Sequence, residues 1–484
     1  MKYGVIWFLL YPIWGIAALC LTIPLVFAGV IGETWWYFVP SVALCWFLTG
    51  GCWYGSRHHK RQITVLQCIW LMVLGWLIFS TLGMLPYGLS GTLPWIDSWF
   101  ESVATVTTTG LIARPAIYQS MAPSLQLWHS VLAWVGGMQF LAFMVTVLPL
   151  VSPSLRLSAQ THSSVSFNAM VHPMLGRAGK VLLLYSGITM VAIISYGTIG
   201  CTFAGISVLD AVRQGLLTVS TTGGIGNLSM SSLPLEIASL VPLFLVCGNF
   251  LLYEQAVERR SLWPILKNTE WLALVGSMLV WGGLVSWHLS YTGVTTPERG
   301  LVQGFFHVLS FMSTSGVMAP EAAHWPELDR FVLIIVSFGG ASLASLSGGL
   351  RSMRLVILAK MVKNELRRTI HPHMVVSFTV NGRSIDTTTV SYVLAYFFLF
   401  MATFFIGSII LALAGIMPLQ AMGLAVACLS SVGATATLLG INDFLSLPAW
   451  LKLFSSFLMI LGRLEIFAFF ILIKSVLQSV HRPW

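Results

Sequence analysis

Four short stretches of the chain share one pattern: Thr107-Thr108-Thr109-Gly110, Ser220-Thr221-Thr222-Gly223, Ser313-Thr314-Ser315-Gly316 and Ser430-Ser431-Val432-Gly433. Each is a run of mostly hydroxyl-bearing residues that ends in glycine and follows a short apolar segment. Thirteen positions before each glycine the chain has a polar residue: Asp97, Asp210, Gln303 and Gln420. A single match to so short a pattern carries no weight, but four matches at a constant internal offset predict a fourfold structural repeat.

The composition places this repeat in a membrane. Hydrophobic residues make up 57% of the chain, charged residues 8%, and the mean hydropathy is +0.85, which excludes a soluble enzyme. Apolar runs of roughly 20 residues, the length needed to cross a bilayer, predict about ten crossings. These runs lie near 4–30, 35–54, 65–88, 125–150, 180–206, 234–256, 270–292, 328–362, 388–414 and 447–478.

The apolar segments that precede the four glycines are too short to cross a bilayer. We therefore expect re-entrant half-helices near 97–109, 210–222, 300–315 and 419–432, enclosed by protein or by a watery cavity. A helix carries about half a negative charge at its C-terminus, so four converging C-termini favour a cation. Glycine also allows a carbonyl to turn into a pore, which is how a cation filter is built.

The four phrases contain no carboxylate, which favours a monovalent ion such as K⁺ over a divalent one. The predicted K⁺-binding residues are Thr108, Thr109, Gly110, Thr221, Thr222, Gly223, Thr314, Ser315, Gly316, Ser431, Val432 and Gly433. The alternative interpretation is that the phrases are helix-packing faces or helix caps. In the second copy Gly224 competes with Gly223, and the thirteen-residue offset favours Gly223. Val432 lacks a hydroxyl, so the ring is expected to be only pseudo-symmetric.

A gate is predicted next to this filter. The segment 328–362 is too long for one crossing, and paired glycines interrupt it at two points. Each glycine weakens a helix by roughly 1 kcal/mol relative to alanine, so we expect a flexible loop at 339–350, although a packing kink is the alternative. A cation inside a membrane is costly, so two arginines are expected to face a cavity or a partner. The predicted gating residues are Gly339, Gly340, Gly348, Gly349, Arg351 and Arg463. Local pairing with Glu465 is the alternative role for Arg463.

Basic residues concentrate in alternate loops, including Arg259, Arg260, Lys363, Arg367 and Arg368. This positive-inside pattern predicts a cytoplasmic N-terminus, and the net charge of +9 then requires no nucleic acid. The opposite face carries acids that include Asp97, Glu101, Asp210, Glu236 and Asp329. They are predicted either to concentrate cations at an acidic mouth or simply to follow the topology rule.

Further motifs support a specific resemblance: Trp134-Val135-Gly136-Gly137-Met138, Gly248-Asn249-Phe250, Trp325-Pro326, the glycine-rich stretch 339–354, His371-Pro372, Asn442-Asp443-Phe444 and Gly462-Arg463-Leu464-Glu465-Ile466-Phe467. With four membrane–pore-loop–membrane units, the chain resembles the Trk/Ktr/HKT superfamily of potassium transporters, in particular its bacterial TrkH/TrkG branch. It departs from the family pattern at Gln139, where glycine is usual, and at 341–347, where the family is richer in glycine and threonine.

The resemblance implies an all-α polytopic membrane protein with four pseudo-symmetric units around a central pore. Two extra transmembrane helices are expected at 1–62, followed by units at 63–160, 161–260, 261–368 and 369–484. The corresponding pore loops are predicted at 97–112, 210–226, 299–319 and 419–436.

The implied function is K⁺ uptake across the bacterial inner membrane by a homodimer. The loop at 339–350 would close the pore under the control of a cytosolic, nucleotide-binding TrkA-type subunit. K⁺ is then the transported ion, membrane lipid is the surrounding partner, and the chain itself needs no cofactor.

Four other functions compete with this one. A sodium or mixed K⁺/Na⁺ transporter of the same fold and an ion-coupled solute carrier (a symporter) remain open, as does a non-conducting sensor. A solute carrier of the inverted-repeat type would show two related halves rather than four units. A membrane enzyme is disfavoured, because the sequence contains neither HExxH nor GxSxG.

Overall fold

The computed structural model describes residues 4–56, 65–113, 115–146, 167–223, 232–371, 379–381, 383–441, 443–470 and 473–474. Over these residues the chain is almost entirely helical, and its only strands there, Thr379–Val380 and Arg383–Ser384, form one short antiparallel pair. The α-helices are Gly4–Ile31, Val39–Ser56, Val65–Leu89, Trp95–Val106, Pro115–Ser120, Pro123–Thr146, Phe167–Ser195, Val208–Val219, Leu233–Cys247, Phe250–Arg259, Trp263–Leu266, Thr269–Tyr291, Pro297–Met312, Glu327–Gly339, Ser352–Ile370, Thr387–Leu413, Pro418–Ser430, Ala434–Leu438 and Ala449–Arg463. A π-helix, Tyr196–Ala204, and two 3₁₀ turns, Trp36–Phe38 and Pro320–His324, complete the described elements.

Five helical stretches of the described chain are long and apolar enough to cross a membrane: Trp14–Ile31, Pro123–Thr146, Gly176–Ala204, Thr269–Tyr291 and Thr387–Leu413. The outer helices keep large apolar side chains exposed, such as Phe47, Leu183, Phe398 and Leu413. Exposed apolar surface of this kind fits a lipid environment.

Three of the predicted crossings are broken. The crossing expected at 234–256 consists of Leu233–Cys247 and Phe250–Arg259, which meet at 87°. The crossing expected at 328–362 is divided by the irregular segment 340–351, as the paired glycines indicated. The last crossing, expected to be continuous, ends its helix at Arg463 and becomes helical again at 466–470, with Glu465 left-handed at φ 54° between them.

Four short helices form the interior of the protein, and we call them the pore helices: Trp95–Val106, Val208–Val219, Pro297–Met312 and Pro418–Ser430. Each begins at a residue suited to a helix start. Pro94 and Ser207 are N-caps, and prolines 297 and 418 occupy the first turn. The crossing helix Pro123–Thr146 is buried along almost its whole length, which places it among the pore helices rather than against lipid.

Candidate functional site

All four pore helices end in the same backbone motif. The second residue of each phrase is left-handed, with φ of 51°, 59°, 61° and 55° at Thr108, Thr221, Thr314 and Ser431. The next amide donates to the carbonyl five positions earlier: Thr109 to Ala104 (2.8 Å), Thr222 to Leu217 (3.0 Å), Ser315 to Ser310 (2.9 Å) and Val432 to Ala427 (3.0 Å). This is the Schellman helix ending, in which glycine normally occupies the left-handed position. Threonine there is strained, and strain of this kind concentrates at functional sites.

The four phrases lie side by side in a closed ring, which the surroundings of their glycines show. A Cβ on Gly110 would collide with the carbonyl oxygen of Thr222 in the second phrase. One on Gly223 would lie 3.3 Å from the carbonyl oxygen of Ser315, in the third phrase. A Cβ on Gly316 would lie 3.1 Å from that of Ala434, just after the fourth phrase. One on Gly433 would lie 2.6 Å from the carbonyl oxygen of Gly110, back in the first phrase.

The ring presents oxygen atoms from backbone and hydroxyl groups. The hydroxyls of Thr108 and Thr221 share a hydrogen bond of 3.4 Å across two phrases, and those of Thr107 and Thr109 share one of 2.9 Å within a phrase. Over the part of the chain that the structure describes, no group of three or more His, Cys, Asp or Glu side chains is arranged to hold a metal ion. The chemistry of the ring is therefore that of neutral oxygens at negative helix ends.

The fourth phrase differs from the other three. Gly110, Gly223 and Gly316 are left-handed, with φ of 73°, 97° and 66°, whereas Gly433 has φ −53° and precedes the short helix Ala434–Leu438. The amide of Gly433 also donates to the carbonyl of Thr109 at 2.7 Å, so it uses one oxygen of the first phrase. In the second phrase Gly223 matches Gly110 and Gly316, while the competing Gly224 lies outside the described residues.

The irregular segment 340–351, which we call the crossing loop, packs against two of the phrases. It is buried throughout. The amide of Gly348 donates to the Thr314 hydroxyl at 3.1 Å, and a Cβ on Gly348 would collide with the carbonyl oxygen of Ser430. Gly340 and Gly349 are left-handed and leave no room for a side chain against neighbouring carbonyls. Gly339, by contrast, ends its helix with only ordinary contacts.

Arg463 connects the other two phrases to the crossing loop. Its Nε donates to the carbonyl of Thr107 at 2.5 Å, and its Nη1 donates to the carbonyl of Leu346 at 2.7 Å. Its Nη2 donates to the Thr108 hydroxyl and lies 3.5 Å from that of Thr221. Arg463 and the crossing loop together touch all four phrases. Arg463 can reach the ring because its helix ends there, which the expected continuous crossing did not anticipate.

Arg351 does not touch the ring. Its guanidinium donates to the carbonyl of Leu343, within the crossing loop, and lies 3.6 Å from Glu465. Glu465 makes a closer ion pair of 2.7 Å with Arg354, and its described hydrogen bonds and ion pairs do not include Arg463.

The chain is similar to known transport proteins. The profile of the TrkH family, described as cation transport proteins, matches residues 285–480. The potassium uptake protein TrkG of Escherichia coli is 26% identical over 90% of both chains. TrkH of Salmonella typhimurium is 26% identical over 87% of both. The crystal structure of the potassium transporter TrkH from Vibrio parahaemolyticus superposes with a TM-score of 0.86 over 98% of both chains, at 22% identity.

This chain is similar to the TrkH family over residues 285–480. The resemblance predicted from the motifs is confirmed, and so is the predicted fold class. The structural likeness to TrkH extends over 98% of the chain.

Apart from Arg463, the sequence analysis did not identify the residues outside the ring that hydrogen-bond to the crossing loop. Glu270 accepts the Leu343 amide and, at 3.0 Å, the side-chain amide of Asn249. Backbone bonds join the bend at Gly248 to the same loop: Ser342 donates to Cys247 (3.1 Å) and Phe250 donates to Ala344 (3.0 Å). The signal available for Glu270 was an acid at the very start of the apolar run near 270–292.

Four of the acids on the predicted outer face have polar partners within the protein, and the acidic-mouth hypothesis stays a prediction. Asp97 pairs with Lys452, and Asp210 pairs with Arg213 at 2.9 Å. Asp329 lies 2.8 Å from the Nδ1 atom of His288, and Glu236 accepts from Gln303 at 3.3 Å. Three of these four contacts join different helices, whereas Asp210 pairs within its own pore helix.

Proposed function

We propose that this protein carries K⁺ across the bacterial inner membrane through the ring of four phrases. The observation that carries the proposal is the Schellman ending, repeated four times with a strained hydroxyl residue and closed into a ring. Such a ring supplies carbonyl and hydroxyl oxygens that replace the water around a monovalent cation. Relatives named as potassium uptake proteins support K⁺ as the ion.

The twelve K⁺-binding residues that we propose are the last three residues of each phrase. Thr108, Thr221 and Thr314 contribute hydroxyls as well as carbonyls, while Val432 contributes only its carbonyl. We expect no cofactor on this chain, because the four helix ends and neutral oxygens suffice to hold K⁺. We propose a transporter and not an enzyme, because the similar proteins are named as potassium uptake proteins.

The crossing loop and Arg463 are the proposed gate. Both contact the ring, and the guanidinium places a positive charge against the oxygens of Thr107 and Thr108. A permeating cation would be repelled there until Arg463 moves. Gly340, Gly348 and Gly349 let the loop approach other backbones closely, Gly339 ends the preceding helix, and Arg351 fastens the loop through the carbonyl of Leu343.

The crossing loop continues directly into a helix whose far end is charged. Ser352–Ile370 begins immediately after the crossing loop and carries exposed residues at its far end, including Lys363, Arg367 and Arg368. We propose that a cytosolic TrkA-type subunit acts on this end and orders or releases the loop. We also propose that the protein is a homodimer with a cytoplasmic N-terminus. Its four units are proposed at 63–160, 161–260, 261–368 and 369–484.

A mixed K⁺/Na⁺ transporter is the second candidate. The observation that favours it is the fourth phrase, where Gly433 is right-handed and its amide occupies the carbonyl of Thr109. A ring with one altered member offers an ion fewer equivalent oxygens, and K⁺ selectivity depends on their number and arrangement.

Tracer rubidium uptake into K⁺-loaded liposomes that contain the purified protein tests both candidates. We expect uptake that external K⁺ blocks and external Na⁺ does not. Equal block by both ions would favour the mixed transporter. Absence of flux, both alone and after addition of a TrkA-type subunit with nucleotide, would contradict transport.

A further inference from the structure

In the first and third repeats, a buried side chain of the pore helix holds the chain that leaves the ring. The amide of Ala113 donates to Oε2 of Glu101 at 2.7 Å, and the amide of Ala319 donates to Nε2 of His307 at 3.1 Å. Both acceptors lie nine positions before the phrase glycine, and both donors lie three positions after it. Two different side chains therefore make the same connection at equivalent positions.

His307 can accept this bond in only one state. Its Nδ1 lies 2.8 Å from the carbonyl oxygen of Gln303, which has no proton to give, so Nδ1 carries the proton and donates. Nε2 of the neutral ring is then free to accept from Ala319. The ring is fully buried and lies 4.4 Å, between ring centroids, from Trp325, which fixes its orientation.

Glu101 is also buried, and its Oε2 atom is the one that accepts from Ala113. Its second oxygen, Oε1, lies 3.3 Å from Nδ1 of His129, and that nitrogen also lies 3.2 Å from the Thr105 hydroxyl. The carboxyl group is buried, so its oxygens have no bulk water as an alternative partner. A buried acceptor with one aligned backbone donor fixes that donor firmly.

The fourth repeat, which has no side-chain acceptor at this position, shows why the first and third repeats need one. Leu424 occupies the position nine before Gly433, and no acceptor is needed there. The amide three positions after the glycine, that of Ala436, donates to the carbonyl of Gly433 at 3.1 Å within a short helix. In the first and third repeats the exit is not helical, so its amide depends on the side chain. The second repeat has the buried Gln214 at this position, and the donor position 226 lies outside the described residues.

We propose that Glu101 and His307 are positioning residues for ion selectivity. By fixing the amides of Ala113 and Ala319, they hold the exits at 111–113 and 317–319, and with them the orientation of the peptide groups at Gly110 and Gly316. This proposal rests on the proposed function of the ring as a K⁺ filter. It assigns the two residues no direct contact with the ion.

The chain supplies the substitutions for a test. Glu101→Gln and His307→Gln keep an acceptor and introduce the residue found in the second repeat. Glu101→Leu and His307→Leu remove the acceptor and introduce the residue found in the fourth. We expect the Leu variants to lower the ratio of Rb⁺ to Na⁺ uptake by about fivefold or more, the effect of losing one buried hydrogen bond. The Gln variants are expected to stay within about twofold of wild type.

Thermal unfolding and backbone amide exchange complete the experiment. Leu variants that unfold like wild type and keep its uptake ratio would overturn the proposal. Where a Leu variant does not fold, Glu101→Asp and His307→Asn provide the same test, because each keeps a polar group but shortens its reach. If the wild type carries no Rb⁺, the proposed function fails. Amide exchange over 111–113 and 317–319 then decides the positioning role separately, and exchange as slow in the Leu variants as in wild type would reject it.

Discussion

The ring of phrases and the crossing loop lie in contact, yet the ring is held by local hydrogen bonds and the loop by contacts between distant segments. Each phrase is held mainly by its own helix, through the hydrogen bond that recurs at 2.8–3.0 Å in all four copies. The crossing loop depends on residues distant in sequence: its contacts include Thr314, Glu270 and Arg463. No two of these contacts are alike.

This difference fits the roles that we propose for the two regions. A filter must present the same oxygens to every ion, and local bonds that form with the helix itself are suited to that. A gate must exist in two arrangements, which requires contacts that can be exchanged without unfolding either neighbour. The crossing loop has such contacts, because single groups such as the Thr314 hydroxyl and the Arg463 guanidinium attach it to the ring.

The largest effect is expected at Gly110, the phrase glycine whose added Cβ would lie nearest to a neighbouring phrase. Gly110→Ser adds a Cβ that collides with the carbonyl of Thr222, at a backbone with φ 73°. Strain of about 1–3 kcal/mol placed on ion-binding oxygens is expected to lower the preference for Rb⁺ over Na⁺ by about tenfold or more. Competition uptake into liposomes measures this preference.

Gly223→Ser is the matched control for Gly110→Ser. It imposes a similar left-handed strain, with φ 97°, but its Cβ would lie 3.3 Å from the nearest carbonyl oxygen, so the neighbouring phrase needs to shift far less. We expect its selectivity to fall less than that of Gly110→Ser. An unchanged K⁺/Na⁺ preference in Gly110→Ser would contradict the assignment of the four phrases as the ion filter.

The ring was predictable from sequence because its determinants are local. Hydroxyl residues followed by glycine at a constant offset marked every copy, and the pore helices end where the phrases begin. The left-handed residue was not foreseen, since the usual ending has glycine at that position and these phrases place it two residues later. The right-handed Gly433 was also missed, because a phrase with Val432 gives no sign of the short helix that follows.

The contacts of the crossing loop were harder to predict from the sequence. Paired glycines indicated the break at 340–351, but no local signal connected it to Glu270 or to the bend at Gly248. Arg463 was singled out by its cost in a membrane, yet the end of its helix was not expected, because the predicted crossing continues past it to 478. Contacts between distant segments determine these features, and one sequence does not display them.

A second prediction separates the two regions at Arg463. Arg463→Ala removes the donors to the carbonyls of Thr107 and Leu346 and takes a positive charge away from the ring. We expect Rb⁺ uptake without the cytosolic subunit to rise by about fivefold, which corresponds to a net loss of about 1 kcal/mol from the contacts that hold the loop against the ring. The Rb⁺/Na⁺ preference should change far less than in Gly110→Ser. Equal uptake in variant and wild type would return Arg463 to a structural role.

The smallest effect is expected where the loop meets the fourth phrase. Gly348→Ala places a methyl group against the carbonyl of Ser430 and must push the loop away from the ring, whereas Gly339→Ala meets only Leu355 at 3.6 Å. Helix propensity favours alanine at Gly339, so that variant controls for the general effect of losing a glycine.

We expect Gly348→Ala to raise Rb⁺ uptake about two- to threefold. The substitution weakens one of several contacts that hold the gate closed, and its energetic effect is expected to be smaller than the loss of a whole hydrogen bond. Gly339→Ala should match wild type. If both variants behave alike, the loop does not act through its contact with Ser430. If Gly348→Ala instead alters the Rb⁺/Na⁺ preference while uptake stays constant, the loop supports the filter and does not gate it, and the division between the two regions fails at this contact.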